Sequence, residues 1–373
     1  MKTITKREFL KQGLLCAGGL VCPGFLKSQP LPADGLWKWS REAIFYTVTP
    51  RGIQCGICPN ECTLKPGETS VCHNRINHND KLYSIAYGNP CSVNIDPIEK
   101  KPLLHFLPHT YAYSLATAGC NFACLNCQNW EISQTSPKDT QNYDLMPDRV
   151  VEECLKSGCP SIAYTYSEPI SFYEYVYDTA RLAQYKGIRN LLISNGYIKP
   201  DPLKKLAPYL DAANINLKSF SNDIYLRLNA GKLQPVLDTL VTLKQYHVWL
   251  EITNLIIPSW TDDYEMISRM CDWLVANGFS EYPLHFNRFF PLYKLTQLPA
   301  TPVNTLLKAK AIAEKAGCKY VYVGNTPEIG YENTYCPQCK KLVVERKGYA
   351  LVTNNLEHGK CKFCGKLING VWE

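Results

Sequence analysis

Between residues 12 and 335 the sequence carries no net charge. The formal excess of +7 sits at the two ends: Lys2, Lys6, Arg7 and Lys11 against Glu8 at one, and the basic stretch 336–373 at the other. A neutral body excludes a broad basic stripe tracking a nucleic-acid backbone, though it leaves room for a small basic C-terminal module. The chain also lacks a membrane-length apolar run near its start. Residues 13–26 are weakly apolar and shorter than the roughly 20 residues a spanning helix needs. A disulfide framework is equally out of place, because such frameworks staple small secreted domains and this chain has 373 residues. Its hydrophobic content of 46% fills a sizeable core, in two or three domains.

Cysteine is abundant, at 18 residues, and most of it falls in three tight groups. The central group is Cys120-Asn-Phe-Ala-Cys124-Leu-Asn-Cys127, which follows a short run, Tyr113-Ser-Leu-Ala-Thr-Ala-Gly119, that reads as a strand ending in a glycine turn. Three closely spaced thiolates can hold three corners of a cubane 4Fe–4S cluster. The fourth iron then has no nearby protein ligand, and an open metal position marks a catalytic site rather than a structural one. A zinc knuckle or a set of buried thiols is the plainer alternative.

The first group, Cys55-Gly-Ile-Cys58-Pro-Asn-Glu-Cys62 with Cys72, lies among Gly56, Pro59, Pro66 and Gly67. That loop-rich setting suits a small metal-nucleated module. Four thiolates satisfy either a tetrahedral zinc or an accessory iron–sulfur cluster, and the loops favour zinc. The third group, Cys336-Pro-Gln-Cys339 and Cys361-Lys-Phe-Cys364, pairs two C-x2-C knuckles, which is the spacing of a zinc ribbon; a rubredoxin-like iron site has the same ligands.

From residue 111 short apolar runs alternate with amphipathic stretches, the pattern of successive β-α units around a parallel sheet. Strands are expected at 113–118, 161–166, 190–194, 213–217, 248–257, 284–290 and 320–323, with helices near 148–157, 171–187, 201–208, 235–245, 262–277 and 302–317. This is an α/β chain whose working loops should lie at the carboxyl ends of the strands. Cys120, Cys124 and Cys127 follow the first of them. The charged segment Asp96-Pro-Ile-Glu-Lys-Lys-Pro-Leu-Leu-His-Phe106 precedes that strand and reads as a lip over the site or as a solvated linker.

The C-x3-C-x2-C spacing after a strand resembles the radical S-adenosylmethionine superfamily. Ala163-Tyr-Thr-Tyr-Ser-Glu168-Pro169 is similar to that family's Gly-Gly-Glu-Pro element, with Tyr166-Ser167 in place of both glycines. Over residues 50–373 the layout resembles the radical enzyme of the so-called AmmeMemoRadiSam system, a relative of glycyl-radical enzyme activases. Asp96-Pro-Ile-Glu-Lys-Lys-Pro, Tyr164-Thr-Tyr-Ser-Glu-Pro and Tyr335-Cys-Pro-Gln-Cys carry that likeness.

The resemblance implies a partial or complete (β/α) barrel over 111–325. A metal module with its linker would occupy 31–110, and a zinc-ribbon-like tail 326–373. It implies a 4Fe–4S cluster on Cys120, Cys124 and Cys127 whose open iron is chelated by the methionyl amino and carboxylate groups of S-adenosylmethionine. Reductive cleavage of the sulfonium would give a 5′-deoxyadenosyl radical. Glu168 would accept from the methionyl amino group; a helix-capping Ser-Glu-Pro turn is the alternative. Ser194 and Asn195 would line the cofactor, and Lys218 would face its pocket unless it is an ordinary ion-pair partner. His285 and Asn287 share one face of the sixth strand and, with Arg288, are expected in the pocket.

Thr5-Lys-Arg-Glu-Phe-Leu-Lys11 resembles a twin-arginine export signal with Lys6 in place of the first arginine, and residues 1–30 read as a targeting segment or an amphipathic helix. The best cleavage site, Leu31-Pro-Ala33, lacks a small first residue. The supply of S-adenosylmethionine and reductant favours the cytoplasm, with export or membrane anchoring as the alternative. The leading function is hydrogen abstraction through the deoxyadenosyl radical, with a protein glycine as one target and a flavodoxin or ferredoxin as electron donor. Radical modification of a nucleic acid, and a metal-binding scaffold or electron carrier without chemistry of its own, are the alternatives.

Overall fold

The computed structural model describes residues 36–326 and 330–373. The targeting segment expected at 1–30 lies outside them. Eight strands follow one another across one sheet in sequence order: β1 (Ser92–Pro97), β2 (Tyr111–Ala116), β3 (Ser161–Tyr164), β4 (Arg189–Ser194), β5 (Ala212–Asn216), β6 (Trp249–Ile256), β7 (Leu284–Arg288) and β8 (Val321–Gly324). β2 to β8 are parallel neighbours, and β1 lies antiparallel against β2. Six helices make the crossovers: α1 (Pro147–Ser157), α2 (Tyr173–Tyr185), α3 (Pro200–Leu206), α4 (Gln234–Gln245), α5 (Tyr264–Ala276) and α6 (Val303–Ala316). β1 and β8 each pair on one side only, so the barrel is partial.

Each expected strand and helix is present, with ends moved by a residue or two. β1 is the addition. Its Asp96 reads as linker charge, but the structure buries that carboxylate against Lys100 and Lys101, while Asn94 stays exposed at the sheet edge. The inner strands are buried on both faces, as parallel strands under helices must be. Leu115, Ile162, Leu192, Ile215, Ile252 and Phe286 share one core with Val150, Val176, Leu240, Met270 and Leu306 of the helices. Burying each such side chain contributes about 1.5–3 kcal/mol. Asp263 caps α5 by accepting from the N–H groups of Glu265 and Met266.

Before the barrel, residues 41–84 form two small antiparallel sheets. They dock on α2 through Arg75 and Glu174, 2.6 Å apart and each 1% exposed. Removing one partner of such a pair leaves a buried charge, at a cost of about 3–5 kcal/mol.

After the barrel, β9 (Thr334–Tyr335), β10 (Leu342–Lys347) and β11 (Ala350–Asn354) make a third antiparallel sheet. Arg346 of β10 ties it to the barrel, donating to the carbonyls of Leu104 at 2.6 Å and Glu332 at 2.8 Å and to Thr334 Oγ1 at 3.0 Å. From there a chain of hydrogen bonds enters the amino-terminal end of the barrel. Thr334 and Tyr322 Oη lie 2.8 Å apart, Tyr322 Oη donates to His105 Nε2 at 2.5 Å, and His105 Nδ1–H donates to Asn369 O at 2.6 Å. These roles follow from the fixed ends, since a guanidinium only donates and a carbonyl only accepts.

Candidate active site

β2 ends at Ala116, and the chain then turns at Gly119, where φ is +99° and a Cβ would stand 2.4 Å from Cys72 O. Only glycine fits there. The cysteine loop that follows is fastened along its length. Ala123 N–H donates to Asn229 O at 3.0 Å and Leu125 N–H to Leu228 O at 2.9 Å. The side chain of Asn121 donates to Tyr197 O and accepts from Asn195 Nδ2, both at 2.8 Å. The Phe122 ring packs on Tyr197, with ring centroids 4.8 Å apart.

Cys120, Cys124 and Cys127 line a polar cavity of about 410 Å³ inside the barrel, the size range of a small-molecule site. Glu168, Ser194, Asn195, Lys218 and Asn287 line the same cavity. Burial pushes all three thiols up, and the Glu168 carboxylate adds to the effect at Cys120. Such a thiol ionises when a metal takes the proton's place. Asn229 Nδ2, 3.1 Å from Cys124 Sγ, and the charge of Lys218 stand where they stabilise that thiolate.

Glu168 is 2% exposed. It receives Ser194 Oγ at 2.7 Å, the Asn195 N–H at 2.8 Å and the Ile170 N–H at 3.1 Å. The last of these makes it the cap of the 3-10 turn Pro169–Phe172, so the capping reading and the pocket reading both describe the same carboxylate. Burial raises its pKa; the three donors and Lys218 pull it back. Lys218 Nζ bonds Asn216 Oδ1 at 3.1 Å.

Two expected pocket residues are elsewhere. His285 does not line the cavity: it sits near the start of β7, where its Nε2 meets Glu251 Oε2 at 2.6 Å. Period-two alternation does put it on the face of Asn287, but one step deeper, where Glu251 also receives the N–H groups of Leu104 and His105. Arg288 turns away, donating to Thr301 O at 2.8 Å with its guanidinium over Phe290.

The segment after β1 forms a wall of the cavity through Lys100, Lys101 and Pro102. Lys101 Nζ lies 2.7 Å from Asp96 Oδ2 and 2.6 Å from Ser114 Oγ, and Tyr166 Oη also donates to Asp96. Burial pulls Lys101 down to about 8 against the opposing pull of Asp96. Asp96 is held well below the usual carboxylate range, because the two lysines and Tyr166 outweigh its burial. The charge density of this stretch was legible, but its pairing with Tyr166 was not. Asn214, Asn216 and Thr253 had no signal in the sequence beyond being polar near strand ends, and Asn229, at the end of the helical turn Tyr225–Asn229, had none.

The tail cysteines converge on one point, with Cys336 and Cys364 sulfurs 3.6 Å apart and those of Cys339 and Cys361 3.7 Å apart. Cys55, Cys58, Cys62 and Cys72 line a separate, small cavity beside the Cys120 loop.

A family model described as the radical SAM superfamily matches residues 114–271. An uncharacterized protein of Methanocaldococcus jannaschii, MJ0808, is 44% identical over 332 residues, which is 88% of this chain and 99% of that one. The pyruvate formate-lyase 1-activating enzyme of Escherichia coli K12 is 24% identical over 218 residues, 55% of this chain and 89% of its own. The chain belongs to the radical SAM superfamily, and it is related to the glycyl-radical activases. Among solved structures, Streptococcus suis SuiB bound to S-adenosylmethionine aligns at 14% identity and a TM-score of 0.45, over 63% of this chain and 56% of that one.

A radical SAM protein uses a 4Fe–4S cluster and S-adenosylmethionine. The donor set fits both: three half-buried thiols with a cation and an amide beside them, and a buried carboxylate across the same cavity. Among the described residues no helix is long and apolar enough to cross a membrane.

Proposed function

We propose that this chain cleaves S-adenosylmethionine reductively at a cluster on Cys120, Cys124 and Cys127, and directs hydrogen abstraction at a glycine of a protein partner. The observation that carries the reading is the convergence of the three thiols, Glu168, Asn195 and Lys218 on one cavity. When bound, the cluster supplies one electron to the sulfonium, releasing methionine and a 5′-deoxyadenosyl radical that abstracts hydrogen.

The chain's own residues bind and orient. Glu168 offers its remaining lone pairs to the N–H groups of the methionyl amino group, and its fixed donors keep the carboxylate from swinging away. Asn195 is held by Asn121 at the edge of the thiol group. Lys218 lines the same cavity and would offer its charge to the methionyl carboxylate.

Similarity to the pyruvate formate-lyase 1-activating enzyme supports a protein glycine as the hydrogen source. Lys100 after β1, Asn325 after β8 and Tyr349 of the tail hairpin line the cavity, and we read the seam between the two edge strands as its mouth. An extended peptide enters through such a seam. A flavodoxin or ferredoxin supplies the electron, and the protein works on the cytoplasmic side, where the cofactor is made.

In the tail we assign zinc. Bonds of about 2.3 Å to one tetrahedral ion set sulfurs about 3.8 Å apart, and the tail sulfurs stand at 3.6 and 3.7 Å. The test of the substrate class is label transfer. With a candidate partner carrying deuterium at glycine Cα, the recovered 5′-deoxyadenosine should carry deuterium; unlabelled deoxyadenosine from every partner that stimulates turnover rules glycine out.

A further inference from the structure

The two four-cysteine groups have the same donors and different geometry. All four tail sulfurs lie within 4.8 Å of one another, and among the described residues no other set of three or more such ligand atoms does. Cys55, Cys58, Cys62 and Cys72 instead line a cavity of about 10 Å³, room for one water-sized sphere. Four sulfurs about 2.3 Å from a shared zinc touch one another and leave no such void. A cubane, with a separate iron behind each thiolate, holds its four ligands across the width of the whole cluster.

We propose that Cys55, Cys58, Cys62 and Cys72 hold a second 4Fe–4S cluster, closed by four thiolates, in place of the zinc that the loop-rich sequence favours.

The surroundings suit that occupant. Cys55 ends the strand Gly52–Cys55, and its N–H donates to Cys62 O at 2.9 Å, so the first and third ligands are locked across one hairpin. Ser70 Oγ accepts the Arg75 N–H at 3.2 Å, which turns its hydroxyl toward Cys72 Sγ, 3.1 Å away. Arg75 spends Nη1 on Glu174, while its Nη2 is buried in the cavity wall without a hydrogen bond. A buried charged donor left unpaired costs stability, and a cluster sulfur or thiolate satisfies it. Ile57 and Ile170 supply apolar cover, at 2% and 1% exposure. Hydrogen bonds to sulfur and burial are what set the potential of such a centre.

The cavity also abuts the catalytic loop. Asn121 and Ser171 line it, Asn60 Nδ2 donates to Asn121 O at 2.8 Å, and Cys72 O blocks any side chain at Gly119. A single layer of residues separates the two cysteine groups. An external zinc site has no need of that contact.

The test uses the full chain carrying Cys120→Ala, Cys124→Ala and Cys127→Ala, reconstituted anaerobically with iron and sulfide. The proposal predicts about four irons and four sulfides per chain, 4Fe–4S signals by Mössbauer and by electron paramagnetic resonance after reduction, and one zinc from the tail. A second variant, Cys55→Ala with Cys72→Ala on the natural catalytic loop, should drop from about eight irons to about four. A loop variant with two zincs and no iron overturns the proposal, as does a single iron without sulfide. Circular dichroism matched to the natural chain reports that each variant is folded. None of these outcomes depends on cleavage of S-adenosylmethionine, so they judge this site apart from the proposed activity.

Discussion

Asn229 clamps Cys124 twice over: its side-chain amide lies 3.1 Å from Cys124 Sγ, and its carbonyl accepts the N–H of the preceding Ala123 at 3.0 Å. The amide oxygen is buried without a hydrogen bond, so the sulfur is what the amide is placed to serve. Asn229→Leu keeps the carbonyl clamp and removes the donor. The potential of the reconstituted cluster should fall, on the order of tens of millivolts, because hydrogen bonds to sulfur favour the reduced state. A redox titration followed by electron paramagnetic resonance reads this, and an unmoved potential with full iron content contradicts it.

Glu168→Gln should weaken S-adenosylmethionine binding more than cluster assembly. Losing a hydrogen bond between charged groups costs about 1.5–3 kcal/mol, roughly one to two orders of magnitude in Kd. The new amide also faces the donors Ser194 and Asn195, which adds to the loss. Equilibrium binding beside an iron assay separates the two effects. Unchanged affinity would reduce Glu168 to the cap of its 3-10 turn.

Stability should depend on acid through His105. Burial pulls its pKa down to about 4, the nearby charges of Arg346 and His285 add to the fall, and Glu251 opposes it. The folded state thus refuses a proton that the unfolded chain accepts below about 6.5. Stability is lost as pH drops from about 6.5 to about 4 and levels off below that, a total of about 3 kcal/mol. Urea unfolding of the natural chain and of His105→Gln at several pH values isolates this contribution. The variant should show a shallower loss over that window; identical slopes would mean that His105 is not held neutral.

Stripping the tail metal should loosen the tail and leave the barrel. Arg346 and the packing of Val343, Val344 and Ile368 with Tyr320 and Tyr322 join the tail to the barrel, but the eight-stranded sheet has its own larger core. Zinc-finger-type sites draw folding energy from the ion. Hydrogen–deuterium exchange should rise over 334–364 on chelation, with β3 to β6 still protected. Equal loss of protection in those strands would make the tail part of the barrel's folding unit.

Period and punctuation made the barrel legible: each strand is a short apolar run, and each helix has its own stripe. β1 escaped because an edge strand need not alternate cleanly, and Asp96 looked like linker charge until Lys101 and Tyr166 closed on it. The cysteine ligands were readable because thiolates that share a centre lie close in sequence. His285 shows the limit of that reasoning. Alternation fixed its face correctly, but depth along the barrel depends on the tertiary partner, and Glu251 holds it below the cavity. Asn229 was invisible for the same reason, 105 residues from the sulfur it serves. For the first cysteine group, the loop-rich composition pointed to zinc, while the small cavity that its four cysteines line with Arg75 is a property of the folded loop alone.

The most direct test of the central claim is a 5′-deoxyadenosine assay on the anaerobically reconstituted, chemically reduced chain, beside Cys124→Ser with matched circular dichroism. The natural chain should turn S-adenosylmethionine into 5′-deoxyadenosine and methionine, and Cys124→Ser should form none above background. No deoxyadenosine from a fully loaded natural chain, or full turnover by the variant, would contradict the assignment of the Cys120–Cys124–Cys127 loop as the radical-generating site.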